Sequence, residues 1–107
     1  MDKKIQGILE SEMKENSIVL YMIGTPLFPM ESESAFAAQA LDALKVPYQS
    51  FDLTGQTDRL IALEKMTKSE DAPFLFIKKK FIGGNKELRR FIKDGIIENL
   101  LKQNSLL

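Results

Sequence analysis

Residues Ile18-Val19-Leu20-Tyr21-Met22-Ile23 are apolar from end to end. The run has strand length and is rich in β-branched and aromatic residues, which predicts a strand buried on both faces at the centre of a sheet. Gly24-Thr25-Pro26 stops it, and Pro26 and Pro29 stiffen the connection that follows. Glu31-Ser32-Glu33-Ser34 then opens a helix that continues from Ala35 to Leu44. A central strand that feeds a loop and a helix commits the chain to an α/β architecture. The loop between the C-terminal end of such a strand and a helix N-terminus is also where α/β proteins usually place their chemistry.

The remaining segments fit that start. Asp2 to Glu15 has Ile5, Ile8, Leu9 and Met13 at helical spacing among charged residues. Tyr48 to Asp52 alternates as a second strand, with Tyr48 and Ser50 on one side and Gln49 and Phe51 on the other. Gln56 to Lys68 predicts a third helix with an apolar face of Leu60, Ile61, Leu63 and Met66. Phe74 to Ile77 is a third strand, Lys78-Lys79-Lys80 a tight turn, and Phe81-Ile82 a fourth strand ended by Gly83-Gly84. Asn85 is read as the cap of a helix running through Arg90 to Lys93, with Leu88, Phe91 and Ile92 inward. Gly95 breaks it, Ile96, Ile97, Leu100 and Leu101 mark a last short helix, and Asn104 to Leu107 are expected to fray. The order α-β-α-β-α-β-β-α-α predicts one domain over residues 1–107: a mixed four-stranded sheet with helices on both faces. A chain of 107 residues can build such a core without a disulfide or a structural metal.

Composition narrows the chemistry. There is no cysteine and no histidine, so thiol redox chemistry, the usual zinc ligands and the commonest general base near neutral pH are all missing. Fifteen basic and fifteen acidic residues give net zero charge, so no general attraction to nucleic acid or an anionic membrane is expected. The opening Met1-Asp2-Lys3-Lys4-Ile5-Gln6-Gly7 lacks the apolar stretch of a signal peptide, and no apolar run approaches the roughly 20 residues that span a bilayer. A cytoplasmic location is the expectation.

Three features together carry a resemblance: Gly24-Thr25-Pro26-Leu27-Phe28-Pro29 before a helix, Ala72-Pro73 opening an apolar strand, and Phe81-Ile82-Gly83-Gly84 closing a hairpin. In this order and spacing the chain resembles the monothiol glutaredoxins, from about Asp2 to Lys102. The resemblance implies a thioredoxin-like fold of glutaredoxin type, with Ala72-Pro73 as its cis-proline site. The family motif continues P-x-C-G-F-S, where this chain reads Pro29-Met30-Glu31-Ser32-Glu33-Ser34. Glu31 therefore stands at the position of the family's nucleophilic cysteine, and of C-G-F-S Ser34 alone is retained. The family's lysine before G-T-P is Ile23, its W-P-T stretch is Ser69-Glu70-Asp71, and its aspartate after the glycine pair is Lys86. Arg59 lies one residue from the place of the arginine that serves the carboxylate of glutathione.

Thiol–disulfide exchange needs a thiolate, and iron–sulfur clusters are normally held by thiolates, for which a hard carboxylate is a poor replacement. The expectation is a non-catalytic binding or regulatory module without a cofactor or metal. Thr25, Glu31, Ala72, Pro73, Gly83 and Gly84 are the candidate groove residues, for a protein segment or small ligand. The alternative is a family role in glutathione-dependent redox chemistry or [2Fe-2S] cluster handling, with sulfur supplied by glutathione or a partner. Glu31 is either a fixed negative charge in place of a thiolate or an ordinary helix-start acid. Ala72-Pro73 either offers backbone to an extended peptide or simply turns the chain. Gly83-Gly84 either admits a ligand backbone or only ends the hairpin. Lys78 to Lys80 read as a solvated turn. Ser32 and Ser34 lie between acids, where modification is open. Leu27, Phe28 and Met30 are candidates for a contact between copies of the chain.

Overall fold

The computed structural model describes residues 3–107. Asp2, the expected first residue of the first helix, lies outside them. The elements are α1 (Lys3–Glu15), β1 (Ile18–Met22), α2 (Ser32–Leu44), β2 (Gln49–Asp52), α3 (Thr57–Thr67), β3 (Phe74–Ile77), β4 (Lys80–Gly83), α4 (Leu88–Lys93) and α5 (Ile96–Gln103). The sheet order is β2-β1-β3-β4, with β1 parallel to β2 and antiparallel to β3, and β3 antiparallel to β4.

The apolar run makes β1 the inner strand it predicts: all five side chains are at most 1% exposed. Its alternation feeds two cores. Ile18, Leu20 and Met22 join Leu75 and Ile77 of β3 under α2, α4 and α5. Val19 and Tyr21 join Phe74 and Phe76 under α1 and α3. The alternation expected from Tyr48 to Asp52 holds as well, although β2 begins at Gln49: Tyr48, just before the strand, packs on the first core and Phe51 on the second. Lys78 and Lys79 both adopt positive φ, as the two-residue turn joining β3 to β4 requires.

Four readings change. Ile61 is exposed, and Ala62 takes its place against the sheet beside Leu63; at about 100° per residue Ile61 falls off the inward arc. Ile8 is likewise exposed on α1. Asn85 does not cap α4. The Ncap residue is Glu87, and Asn85 Nδ2 instead donates to the Ala72 carbonyl at 2.8 Å. The tail beyond α5 closes rather than frays: Leu106 N–H donates to Leu101 O at 2.8 Å, and the Leu106 side chain packs on the first core.

Candidate functional site

Strand register places the end of β1, the start of β3 and the end of β4 at one end of the sheet, where α2 begins. Gly24 turns the chain there at φ +93°; a Cβ on it would lie 2.5 Å from the Phe28 carbonyl oxygen. Only glycine suits both the angle and the approach. Asp52 Oδ1, at the end of β2, accepts from Gly24 N–H at 2.9 Å and Thr54 N–H at 2.8 Å. Those bonds, led by the Thr54 contacts, hold its carboxyl below the ordinary range. Phe28 N–H donates to Thr25 O and Oγ1, Thr25 N–H donates back to Phe28 O, and Met30 N–H donates to Ile23 O. The loop is thus a small closed hairpin. At its tip Leu27, Phe28 and Met30 stand 85%, 75% and 66% exposed.

Glu31 follows in extended conformation as the N-cap of α2. Its Oε1 accepts from Ser34 N–H at 2.6 Å and its Oε2 from Glu33 N–H at 3.1 Å. Both oxygens therefore satisfy amides of its own helix that have no intrahelical partner. Ser34 is fully buried, and its Oγ accepts from Ile23 N–H at 3.0 Å, which fastens the helix start to the end of β1. Ser32 is exposed. Glu33 is gripped by Arg89 of α4, with Nη2 at 2.7 Å and Nε at 3.1 and 3.2 Å, and the guanidinium lies 4.1 Å from the Phe36 ring centre. Arg89 hydrogen bonds hold the Glu33 carboxyl below the usual carboxylate range.

Across from this start, the Ala72–Pro73 peptide is cis and both residues are buried. The Ala72 carbonyl already accepts from Asn85. Gly83 and Gly84 are buried too. A Cβ on Gly84 would run into the Ser69 hydroxyl, so the Ser69 side chain covers that glycine. Gly84 N–H donates to Glu87 Oε1 at 3.1 Å.

Of the six candidate groove residues, Thr25 is exposed, Glu31 is half-buried with its carboxylate turned inward, and Ala72, Pro73, Gly83 and Gly84 are covered. Arg59 points away, to Glu12 of α1, at 3.0 and 3.1 Å. Lys86 is exposed on the turn before α4. Sequence reasoning placed Ser69 beside the cis-proline but missed its cover of Gly84, and it missed Asp52, Asn85 and the Glu33–Arg89 pair as parts of this region. Among the described residues no group of three or more His, Cys, Asp or Glu could hold a metal ion.

Comparison with known proteins places this geometry. No family model matches the chain. Glutaredoxin 4 of Haemophilus ducreyi is 30% identical over 97 residues, covering 91% of this chain and 91% of that protein. The chain belongs to the monothiol glutaredoxin family. A mitochondrial monothiol glutaredoxin of Arabidopsis thaliana is 30% identical over 101 residues, 94% of this chain; the chain spans 60% of that relative. Among solved structures, a buckwheat glutaredoxin–glutathione complex superposes with a TM-score of 0.80 at 18% identity, over 100% of this chain and 98% of that one. The glutaredoxin fold is therefore kept along the chain, in a divergent member that lacks the active-site cysteine.

Proposed function

We propose that this chain is a non-catalytic binding or regulatory module on a glutaredoxin scaffold. One observation carries the reading. At the place of the family nucleophile stands Glu31, whose two carboxylate oxygens are both taken by the first amides of α2. A carboxylate forms no mixed disulfide, and the chain holds no other sulfur nucleophile because it has no cysteine. The surroundings support the same reading. Arg59, the nearest candidate for a glutathione carboxylate, is paired with Glu12. Lys86 puts a cation where the family has an aspartate. Ser69 and Asn85 occupy the space and the acceptor beside Gly84 and Ala72.

The donor set does not fit an iron–sulfur cluster: the site offers hard oxygen already hydrogen-bonded to backbone, and no thiolate. The opposing reading keeps glutathione chemistry with sulfur supplied from outside, and what favours it is the likeness in fold to the buckwheat complex. A cytoplasmic location is part of this proposal, although the Arabidopsis relative is mitochondrial.

Incubation with glutathione and a mixed-disulfide substrate tests the proposal, with turnover expected to stay at background. Clear turnover, or a stable coloured species on anaerobic cluster reconstitution with glutathione, overturns it. Glu31→Cys sharpens the test. It should restore little activity, because Ile23, Lys86 and the Glu12-bound Arg59 leave glutathione without its family contacts. Substantial activity in that variant would show those three positions to be dispensable.

A further inference from the structure

Two exposed surfaces meet at the first turn of α2. One is the apolar hairpin tip of Leu27, Phe28 and Met30. The other is a groove of about 520 Å³ walled by Lys86, Arg89, Arg90 and Lys93, with Glu33 and Asp94 as its acids. Glu33, in the groove wall, follows Met30 by three residues, so tip and groove flank the start of α2.

The charge on this groove is uneven. It holds four cations against two acids in a chain whose net charge is zero. One of the acids, Glu33, is already paired with Arg89. Lys86, Arg90 and Lys93 are exposed and make no ion pair among the described residues. Of the nearby acids, Glu31 is held by helix amides and Glu87 by Gly84 N–H, which leaves Asp94 as the one uncommitted acid of the groove against these three cations. Arg90 lies over the Phe91 ring at 5.3 Å and Lys93 over the Phe36 ring at 5.9 Å, which leaves their charges open to solvent. Three large apolar side chains at 66–85% exposure near cations without an ion-pair partner form an amphipathic surface, of the kind that marks a contact site rather than ordinary protein exterior.

We propose that this surface, from Leu27 to Met30 and across Lys86, Arg90 and Lys93, docks an acidic protein segment that also carries apolar side chains. The inference deepens the module reading above and rests on it. Charge complementarity selects an acidic partner, and the apolar tip selects one with side chains to bury. Phosphate-backbone binding usually draws on a broader basic stripe than three free cations. The three residues that the test changes, Phe28, Lys86 and Arg90, are all exposed, so substitution leaves the core intact.

The test is a titration of the isotope-labelled protein, followed by NMR, with a synthetic twelve-residue peptide of glutamate, leucine and phenylalanine. Amide shifts confined to Leu27–Met30 and Lys86–Asp94, and weaker binding at higher salt, are expected. Lys86→Glu with Arg90→Glu should weaken binding about tenfold or more, and Phe28→Ser several-fold, both with unchanged circular dichroism. The proposal is overturned by no shifts at millimolar peptide, by equal binding in the variants, or by tighter binding of a lysine-for-glutamate peptide or a single-stranded oligonucleotide. It is also overturned if sedimentation shows the tip buried between two copies of the chain. Mixed-disulfide turnover is measured on the same samples. Turnover would remove the module reading, whereas absent peptide shifts without turnover would remove only this surface.

Discussion

Two arginines each hold a glutamate across a pair of helices, one pair on either face of the sheet. Arg59 of α3 binds Glu12 of α1, and their side chains are 26% and 16% exposed. Arg89 of α4 binds Glu33 of α2 at 38% and 26% exposure. The first pair has a third member. The hydroxyl of Tyr21, a fully buried residue of β1, donates to Glu12 Oε1 at 2.9 Å. The second pair has the Phe36 ring beneath its guanidinium and opens onto the basic groove. Similar pairs in similar positions therefore do different work. The α1–α3 pair closes a face and ties it to the central strand. The α2–α4 pair braces the helix start where glutaredoxins keep their reactive group, and leaves the surface beside it open.

The contrast is broken most directly at Arg59. Arg59→Leu leaves the Glu12 carboxylate enclosed with only the Tyr21 hydroxyl for a partner, so a loss of about 2 kcal/mol is expected from the urea unfolding midpoint. Arg59→Leu with Glu12→Leu should regain much of it, because the uncompensated charge is gone. If Arg59→Leu destabilises no more than Arg89→Leu, the two pairs are equivalent and the contrast fails.

Tyr21→Phe comes next, at about 1 kcal/mol, because Glu12 keeps Arg59. It also has a pH signature. Burial first, and then Glu12, push the Tyr21 phenol far above its ordinary value of 10.0. A group whose folded pKa is raised contributes stability that is complete below the unfolded value and is lost as pH rises toward the folded one. The wild-type chain should therefore lose stability above about pH 10, and Tyr21→Phe should lose less. Part of the slope should remain, since burial and Asp42 raise Tyr48 as well. An alkaline profile identical in the two proteins would mean the phenol is not enclosed in solution.

The same contrast marks how far the sequence could be read. The β1 run, the glycine at Gly24 and the order of nine elements follow from local pattern, because burial on both faces and a forced turn leave their mark on adjacent residues. The family was legible from three short stretches. The rim of the site was not. Glu33 and Arg89 are 56 positions apart, and nothing local distinguishes them from other surface charges. Arg59 has the residue type that the glutathione site asks for, yet α3 turns it toward α1. Asn85 has the propensity of a helix cap, but a carbonyl thirteen residues upstream outcompetes the helix for its amide. Glu31 was readable as a helix-start acid; that both of its oxygens face inward was not.

Arg89→Leu is the smallest change and the most informative about the site. The pair is partly open to solvent, where ion pairs contribute little, so the melting temperature should fall by only about 1–3 °C near neutral pH. Its signature lies in acid. Arg89 hydrogen bonds are the main cause of the lowered Glu33 carboxyl. A carboxyl lowered by folding contributes stability that is present above its unfolded value, here near 4.5, and is lost as pH falls through the folded one. Wild type and Arg89→Leu should therefore differ above about pH 4.5 and converge below it, in thermal unfolding followed across that range. Arg59→Leu, by contrast, should move the peptide contacts of the groove little, while Arg89→Leu should disturb amides of the first turn of α2. Curves that stay parallel down to the acid limit would show that Arg89 braces α2 through the Phe36 ring alone.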